Sequence, residues 1–186
     1  MAANVASWQS ANSIPAAVSA PETENWYALH TRPRHEKLVV QRLTDRGVQT
    51  FLPLMKETHR WSDRKKVVEL PLFGCYVFAK FAPNRVERLN VLRVGGVLSL
   101  VGSHSEGTPI PDSQIDAVRT LLEGSLSWSP YPFLKIGQRV RVRGGVLEGV
   151  EGILLSRNGN QTVVISVDAI QRSLAVRVEG YQIEAA

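Results

Sequence analysis

The spacing of hydrophobic positions changes several times along the chain, and each change marks an element. Residues 1–25 are rich in Ala and Ser, show no periodic apolar pattern and predict a disordered tail. They also lack the basic start and the apolar core of a secretory signal. Trp26 to Thr31 is aromatic and β-favouring and ends before Pro33, which predicts a strand. Val39, Val40 and Leu43 then fall at helical spacing, with Gly47 placed to end the helix. Thr50 to His59 predicts a second strand, Lys65 to Leu70 a third after the polar turn at Trp61-Ser62-Asp63, and Phe73 to Phe81 a fourth. A helix over Asn84 to Arg93 carries Val86, Leu89 and Leu92 or Arg93 on successive turns, and Val97 to Val101 is a short strand. Pro111-Asp112 opens a last helix whose stripe is Ile115, Val118, Leu121 and Leu122, closed by Gly124. The order β-α-β-β-β-α-β-α predicts an α/β sandwich over residues 26–123, with helices packed on a sheet.

Periodicity disappears over residues 124–134, which carry Pro130 and Pro132 and predict a linker. From Lys135 onward the texture is short strands punctuated by glycine. Arg139-Val140-Arg141-Val142-Arg143 alternates, so the valines share one face and the arginines the other. Ile153 to Ser156 and Thr162 to Val167 flank a turn signal at Asn158-Gly159, and Leu174 to Val178 and Tyr181 to Glu184 follow. Five short strands over residues 135–186 predict a small five-stranded barrel, because closure removes exposed edges. The whole chain is therefore expected to be α+β. Glycines at 144, 145, 149 and 152 would each cost about 0.5–1 kcal/mol inside a helix, which argues against a helical hairpin here.

Composition narrows the class. With 44% hydrophobic and 21% charged residues in 186, the chain is globular and too short for a large multidomain enzyme. The longest apolar stretch, Leu70 to Ala79, is interrupted by Pro71 and Gly74 and is too short to span a bilayer, so no membrane partner is expected. The single cysteine, Cys75, has no internal disulfide partner, and a reducing cytoplasm fits. The net charge of +5 is concentrated: residues 26–81 hold eleven Lys and Arg against five Asp and Glu, whereas residues 82–134 hold four against five. A local basic excess points to a phosphate-bearing partner. No Walker loop, Gly-x-Ser-x-Gly or zinc spacing occurs, so neither catalysis nor a cofactor nor a metal is expected.

Two motifs carry a resemblance. Gly137-x-x-Val140-x-Val142-x-x-Gly145-x-Leu147-x-Gly149-x-x-Gly152 resembles the KOW motif, the signature of a small SH3-like barrel. Trp26-Tyr27, Pro71-Leu72-Phe73-Gly74-Cys75-Tyr76-Val77-Phe78 and Gly96-Val97-x-x-Leu100-Val101-Gly102 resemble the NGN domain of the NusG family. Gly74 departs from the pattern, where the family usually has proline. The resemblance implies a transcription factor that binds RNA polymerase at its clamp helices, bridges the DNA channel and suppresses pausing or termination. Its KOW domain would meet a ribosomal protein or a termination factor. Pro109 to Asp112 and the Arg-rich segment after the first strand look more like the specialised RfaH or UpxY paralogs than like housekeeping NusG. The rival class is a stand-alone RNA-binding, ribosome-associated protein.

Strand alternation puts Leu72, Gly74, Tyr76 and Phe78 on one face and Phe73, Cys75 and Val77 on the other. Such a strand is either buried on both sides or offers one face to a partner. The resemblance implies that Leu72, Tyr76 and Phe78 belong to the polymerase patch. Arg32, Arg34, His35, Lys37 and Arg42 lie at the start of the first helix, with Arg34, Lys37 and Gln41 one turn apart. That side is either a solvated face or a sequence-tolerant grip on DNA, and the resemblance implies that Arg32 and Arg42 face the non-template strand. The turn from His59 to Lys66 adds Arg60, Trp61 and Arg64; the indole either stacks on an unpaired base or folds back on its own hairpin.

Overall fold

The computed structural model describes residues 23–60, 65–102, 106–124, 128–131, 137–157, 160–178 and 181–186. The expected tail, apart from residues 23–25, lies outside them, as do Trp61, Arg64 and the Asn158-Gly159 turn. The front half runs β1 (Asn25–Thr31), α1 (Glu36–Thr44), β2 (Gln49–Phe51), β3 (Leu54–Arg60), β4 (Lys65–Pro71), β5 (Tyr76–Phe81), α2 (Arg85–Leu92), β6 (Val97–Leu100) and α3 (Asp112–Glu123). The terminal half runs β7 (Trp128–Tyr131), β8 (Gln138–Arg143), β9 (Glu151–Arg157), β10 (Asn160–Val167), β11 (Arg172–Arg177) and β12 (Gln182–Ala185). The result is a mixed α+β, strand-rich fold.

Alternation along the strands builds two cores on one sheet. The sheet has order β2-β5-β1-β6, and its described ladders are antiparallel. Tyr27, Leu29, Val77, Ala79 and Phe81 pack on one side with Val39 and Leu43 of α1 and Val91 of α2. Trp26, Ala28 and Phe78 join Ile115, Val118 and Leu121 of α3 in the other core. Full burial of a side chain such as Leu29 or Phe78 contributes about 1.5–3 kcal/mol. The start of α2 is fixed by Asn84, whose side chain accepts a hydrogen bond from the Glu87 N–H at 2.8 Å.

Two front strands differ from their expected form. The strand expected over Thr50 to His59 divides at Pro53: β2 pairs with β5 in the main sheet, whereas β3 and β4 form a separate two-stranded hairpin. Proline has no N–H to give a ladder, so the chain changes sheets there. The strand expected from Phe73 begins only at Tyr76, because a turn intervenes in which Cys75 takes a left-handed φ of 66°. That turn breaks the two-residue period. Phe73 ends up edge-on to Phe78, ring centroids 6.2 Å apart, in the core it was expected to oppose.

The terminal half forms a six-stranded sheet of order β12-β8-β9-β10-β11-β7, with no α-helix among its described residues. Its extra strand, β7, comes from the expected linker: Trp128 lies opposite Val176 and Tyr131 opposite Ser173. Among the described residues no ladder joins β7 to β12. β7 lies along the outer edge of β11. The two halves meet along α3, where Gln114 Nε2 donates to Asp168 Oδ2 at 2.8 Å and the Asp168 N–H returns a bond to Gln114 Oε1 at 3.1 Å.

Candidate functional site

One end of the front sheet gathers an apolar and a basic surface. Leu72 and Tyr76 are half-buried, but Phe78 is fully covered by α3 and its neighbours, so it braces the other two and offers no surface itself. Phe51 stacks near Phe78 with centroids 6.0 Å apart, and the Arg119 guanidinium lies 5.0 Å from the Phe51 ring centroid. The Tyr76 ring faces His30, its partner across the ladder, at 5.7 Å.

The turn before Tyr76 is held from two sides. The Leu72 N–H donates to the Pro53 carbonyl at 2.8 Å, and the Thr31 N–H donates to the Cys75 carbonyl at 2.9 Å. The Cys75 N–H in turn donates to the carboxylate of Glu36 at 2.8 Å. Glu36 is only 5% exposed. On sequence Glu36 sits among cations and reads as a surface ion pair, but it is buried and its partner is the Cys75 backbone. The signal was its spacing, since it stands three residues before Val39 and seven before Leu43 on the buried stripe.

The basic surface is close by. Arg32, Arg34 and Lys37 are exposed, and among the described residues no carboxylate pairs with them. Arg34 does not lie on α1, as its expected spacing with Lys37 and Gln41 required, but in the preceding turn with φ 64°. His35 N-caps the helix, and its own N–H bonds back to the Arg32 carbonyl at 3.1 Å. Arg42 is exposed but occupied in part, because its Nη1 donates to the Gly95 carbonyl at 2.7 Å. Arg46, which the sequence did not single out, does the same to the Asn90 carbonyl at 2.7 Å. Arg60 ends β3 opposite Lys65 of β4.

The glycine and valine motif of the terminal half is a packing device. Val140, Val142 and Leu147 are buried. Gly137 leads into β8, and the Gly149 N–H donates to the Val142 carbonyl at 2.9 Å. At Gly152 a side chain is excluded, since a Cβ would stand 2.5 Å from Val163 Cγ1 and 2.6 Å from the Val164 carbonyl oxygen. Gly145 combines φ 64° with the Tyr181 ring, which a Cβ would approach to 2.8 Å. The arginines on the outer face of β8 meet carboxylates. Arg141 pairs with Glu151, and Arg143 reaches Glu184 Oε2 at 2.9 Å and Glu148 Oε1 at 3.3 Å. The Gly144 N–H also donates to Glu148, and this bond, followed by that of Arg143, holds the Glu148 carboxyl below its usual value. Glu184, then Glu148, raises the guanidinium of Arg143. Among the described residues no group of three or more His, Cys, Asp or Glu side chains gathers as a metal site would require. No helix among them is long and apolar enough to cross a membrane.

Comparison with known proteins bears on the family and the fold. The family model described as transcription termination factor nusG matches residues 24–119. The transcription termination/antitermination protein NusG of Borreliella burgdorferi is 25% identical over 179 residues, which cover 86% of this chain and 97% of that protein. A solved structure described as the domain interaction in Thermotoga maritima NusG is similar in fold, with a TM-score of 0.51 at 19% identity; the match covers 87% of this chain and 97% of that one.

Proposed function

The chain belongs to the NusG family of transcription termination and antitermination factors, and on that premise we propose that it grips RNA polymerase and a DNA strand together. Leu72 and Tyr76, braced by Phe78, take the polymerase clamp helices, while Arg32, Arg34, Lys37 and Arg42 take phosphates of the non-template strand. Arg60, Trp61 and Arg64 extend that contact from the hairpin. Bridging the DNA channel in this way suppresses pausing or termination, a role that needs no catalytic group and no cofactor.

One observation carries the reading. Cys75 in the apolar turn accepts from the Thr31 N–H and donates to Glu36, so the turn before Tyr76 and the turn holding Arg32 and Arg34 are locked at one end of the sheet. A tyrosine beside that junction brings apolar area and one polar tip, the composition of a protein-binding hot spot. Fixed cations next to it attract a phosphate backbone without reading sequence.

Within the family, we assign the chain to the specialised antiterminators of the RfaH and UpxY kind, supported by the Pro109 to Asp112 lead into α3. Its Ile110 N–H donates to the Trp26 carbonyl at 2.8 Å, which seats that lead on β1. The terminal half is read as a KOW domain of SH3-like type, on the strength of the motif from Gly137 to Gly152, with a ribosomal protein or a termination factor as its partner. The test is copurification. Full-length protein carrying Tyr76→Ala, shown to be folded by circular dichroism, should bind RNA polymerase on the order of tenfold more weakly. Unchanged binding would remove Tyr76 from the interface, and ribosomal subunits in place of polymerase would support the rival class.

A further inference from the structure

The turn that leads into Tyr76 has an unfavourable residue in its tightest position. The Tyr76 N–H donates to the Phe73 carbonyl at 3.2 Å, closing a β-turn whose third residue is Cys75, at φ 66°. A left-handed φ at that position suits glycine and strains a residue that has a Cβ. The glycine of the turn, Gly74, stands one residue too early and is not left-handed. Bonds from outside the turn hold Cys75 instead. The Thr31 N–H donates to the Cys75 carbonyl at 2.9 Å, and the Cys75 N–H donates to Glu36 Oε1 at 2.8 Å.

The two bonds are unequal. Thr31 contributes a backbone donor that almost any residue would supply, whereas the Glu36 acceptor is a side chain, and a hydrogen bond to a carboxylate is shorter and stronger than one between neutral groups. Glu36 is buried, and among the described residues no lysine or arginine pairs with it. A carboxylate taken out of water without a cation is costly unless it is hydrogen-bonded, and the N-terminal end of α1 offsets only part of that cost. Its bond goes to a residue 39 positions further along the chain. The frame behind it is fixed, since Val39 and Leu43 on the same stripe of α1 are fully buried.

We propose that Glu36 is a positioning residue for the polymerase patch: it holds Cys75 left-handed, and so sets where Tyr76 stands relative to Leu72 on the other side of the turn. Glu36 touches no partner itself. This inference rests on the polymerase contact proposed above for Leu72 and Tyr76, and adds the group that fixes their relative placement.

Cys75 is the single cysteine of the chain, so the rate at which a thiol-specific reagent labels the full-length protein reports on this turn alone. Glu36→Ala should raise that rate about tenfold and weaken copurification of RNA polymerase by a similar factor. Glu36→Gln, whose amide oxygen still accepts the Cys75 N–H, should stay within about threefold of wild type in both. The decisive variant combines Glu36→Ala with Cys75→Gly: glycine takes the left-handed turn unaided, so polymerase binding should return. A Glu36 that only stabilised the fold would not be rescued in this way. Should Glu36→Ala fail to fold by circular dichroism, Glu36→Asp, one methylene short of the Cys75 N–H, carries the same comparison. The proposal is overturned if Tyr76→Ala weakens polymerase binding and Glu36→Ala does not, or if the loss in Glu36→Ala is not restored by Cys75→Gly. If labelling rises in Glu36→Ala while neither it nor Tyr76→Ala weakens binding, the polymerase contact is overturned and the hold of Glu36 on the turn stands.

Discussion

Arginines crowd two parts of this chain, the outer face of β8 and the surface of α1 with the α2 turn. On β8 each cation with a partner has a carboxylate: Arg141 has Glu151 directly across the ladder, and Arg143 has Glu148 and Glu184. On α1 the position one turn beyond Lys37 is Gln41, Arg46 follows just past the end of the helix, and the partners found for Arg42 and Arg46 are backbone carbonyls. The contrast teaches that an arginine run has no meaning apart from its neighbours. A strand in a sheet receives facing residues from two other strands and can be neutralised across the ladder. A surface helix faces water on that side and receives no facing strand.

The comparison breaks most completely when the sheet that supports the neutral row is removed. Gly152→Val would drive a branched side chain into Val163 and the Val164 carbonyl, at a cost of about 3 kcal/mol. We expect the terminal sheet to lose its denaturation transition while oligothymidine binding by the front half persists. Loss of both together would mean that the front surface depends on the terminal sheet.

A gentler pair of variants sharpens the same contrast. Replacing Arg32, Arg34 and Lys37 by Ala should reduce the salt slope of single-strand binding by about 2, at ~0.7 per contact. Replacing Arg139, Arg141 and Arg143 by Ala removes as many cations and should leave the slope where it was. Equal losses would show that only net charge matters. Stability should change little in the second variant, since an exposed ion pair contributes about 0–1 kcal/mol.

The smallest effect is a pH dependence confined to the paired row. Hydrogen bonds from Gly144 and then Arg143 place the Glu148 carboxyl below its ordinary 4.5. Ionised Glu148 therefore favours the folded sheet at pH above about 4.5, and the contribution drains away as pH falls through the folded value. Glu148→Gln should flatten that part of the acid decline in the urea midpoint. Identical declines in both proteins would show that the contact is not maintained in solution.

Much of this contrast could be read in advance, and the reasons for success and failure are local. Arg139 to Arg143 alternates with valine, so a two-residue period alone puts Val140 and Val142 in the core. The path of the chain from Thr50 to Leu54 was harder, because the run is β-favouring throughout and only Pro53 marks the change of sheets. β7 was invisible, since Trp128-Ser129-Pro130-Tyr131 neither alternates nor avoids proline, and its ladder depends on residues more than forty positions away. The burial of Phe78 required knowing that α3 returns across the sheet. Glu36 stood at a legible helical spacing, but its partner Cys75 lies 39 residues further on. Charge counted by segment could not show that Arg46 and Arg42 of the basic stretch end on the carbonyls of Asn90 and Gly95, 44 and 53 residues further on.

The strand taken from the expected linker sets the length of a leash. With β7 bound to β11, the covalent path from the end of α3 at Glu123 to the terminal sheet at Trp128 is five Cα steps, about 18 Å at full stretch. A tether this short keeps each half at a millimolar-scale effective concentration around the other, so a weak contact such as Gln114 with Asp168 stays populated without needing much affinity of its own. Any partner that must hold the two halves further apart has to peel β7 from its neighbour first, and four residues of ladder with a proline among them make a short zip to open.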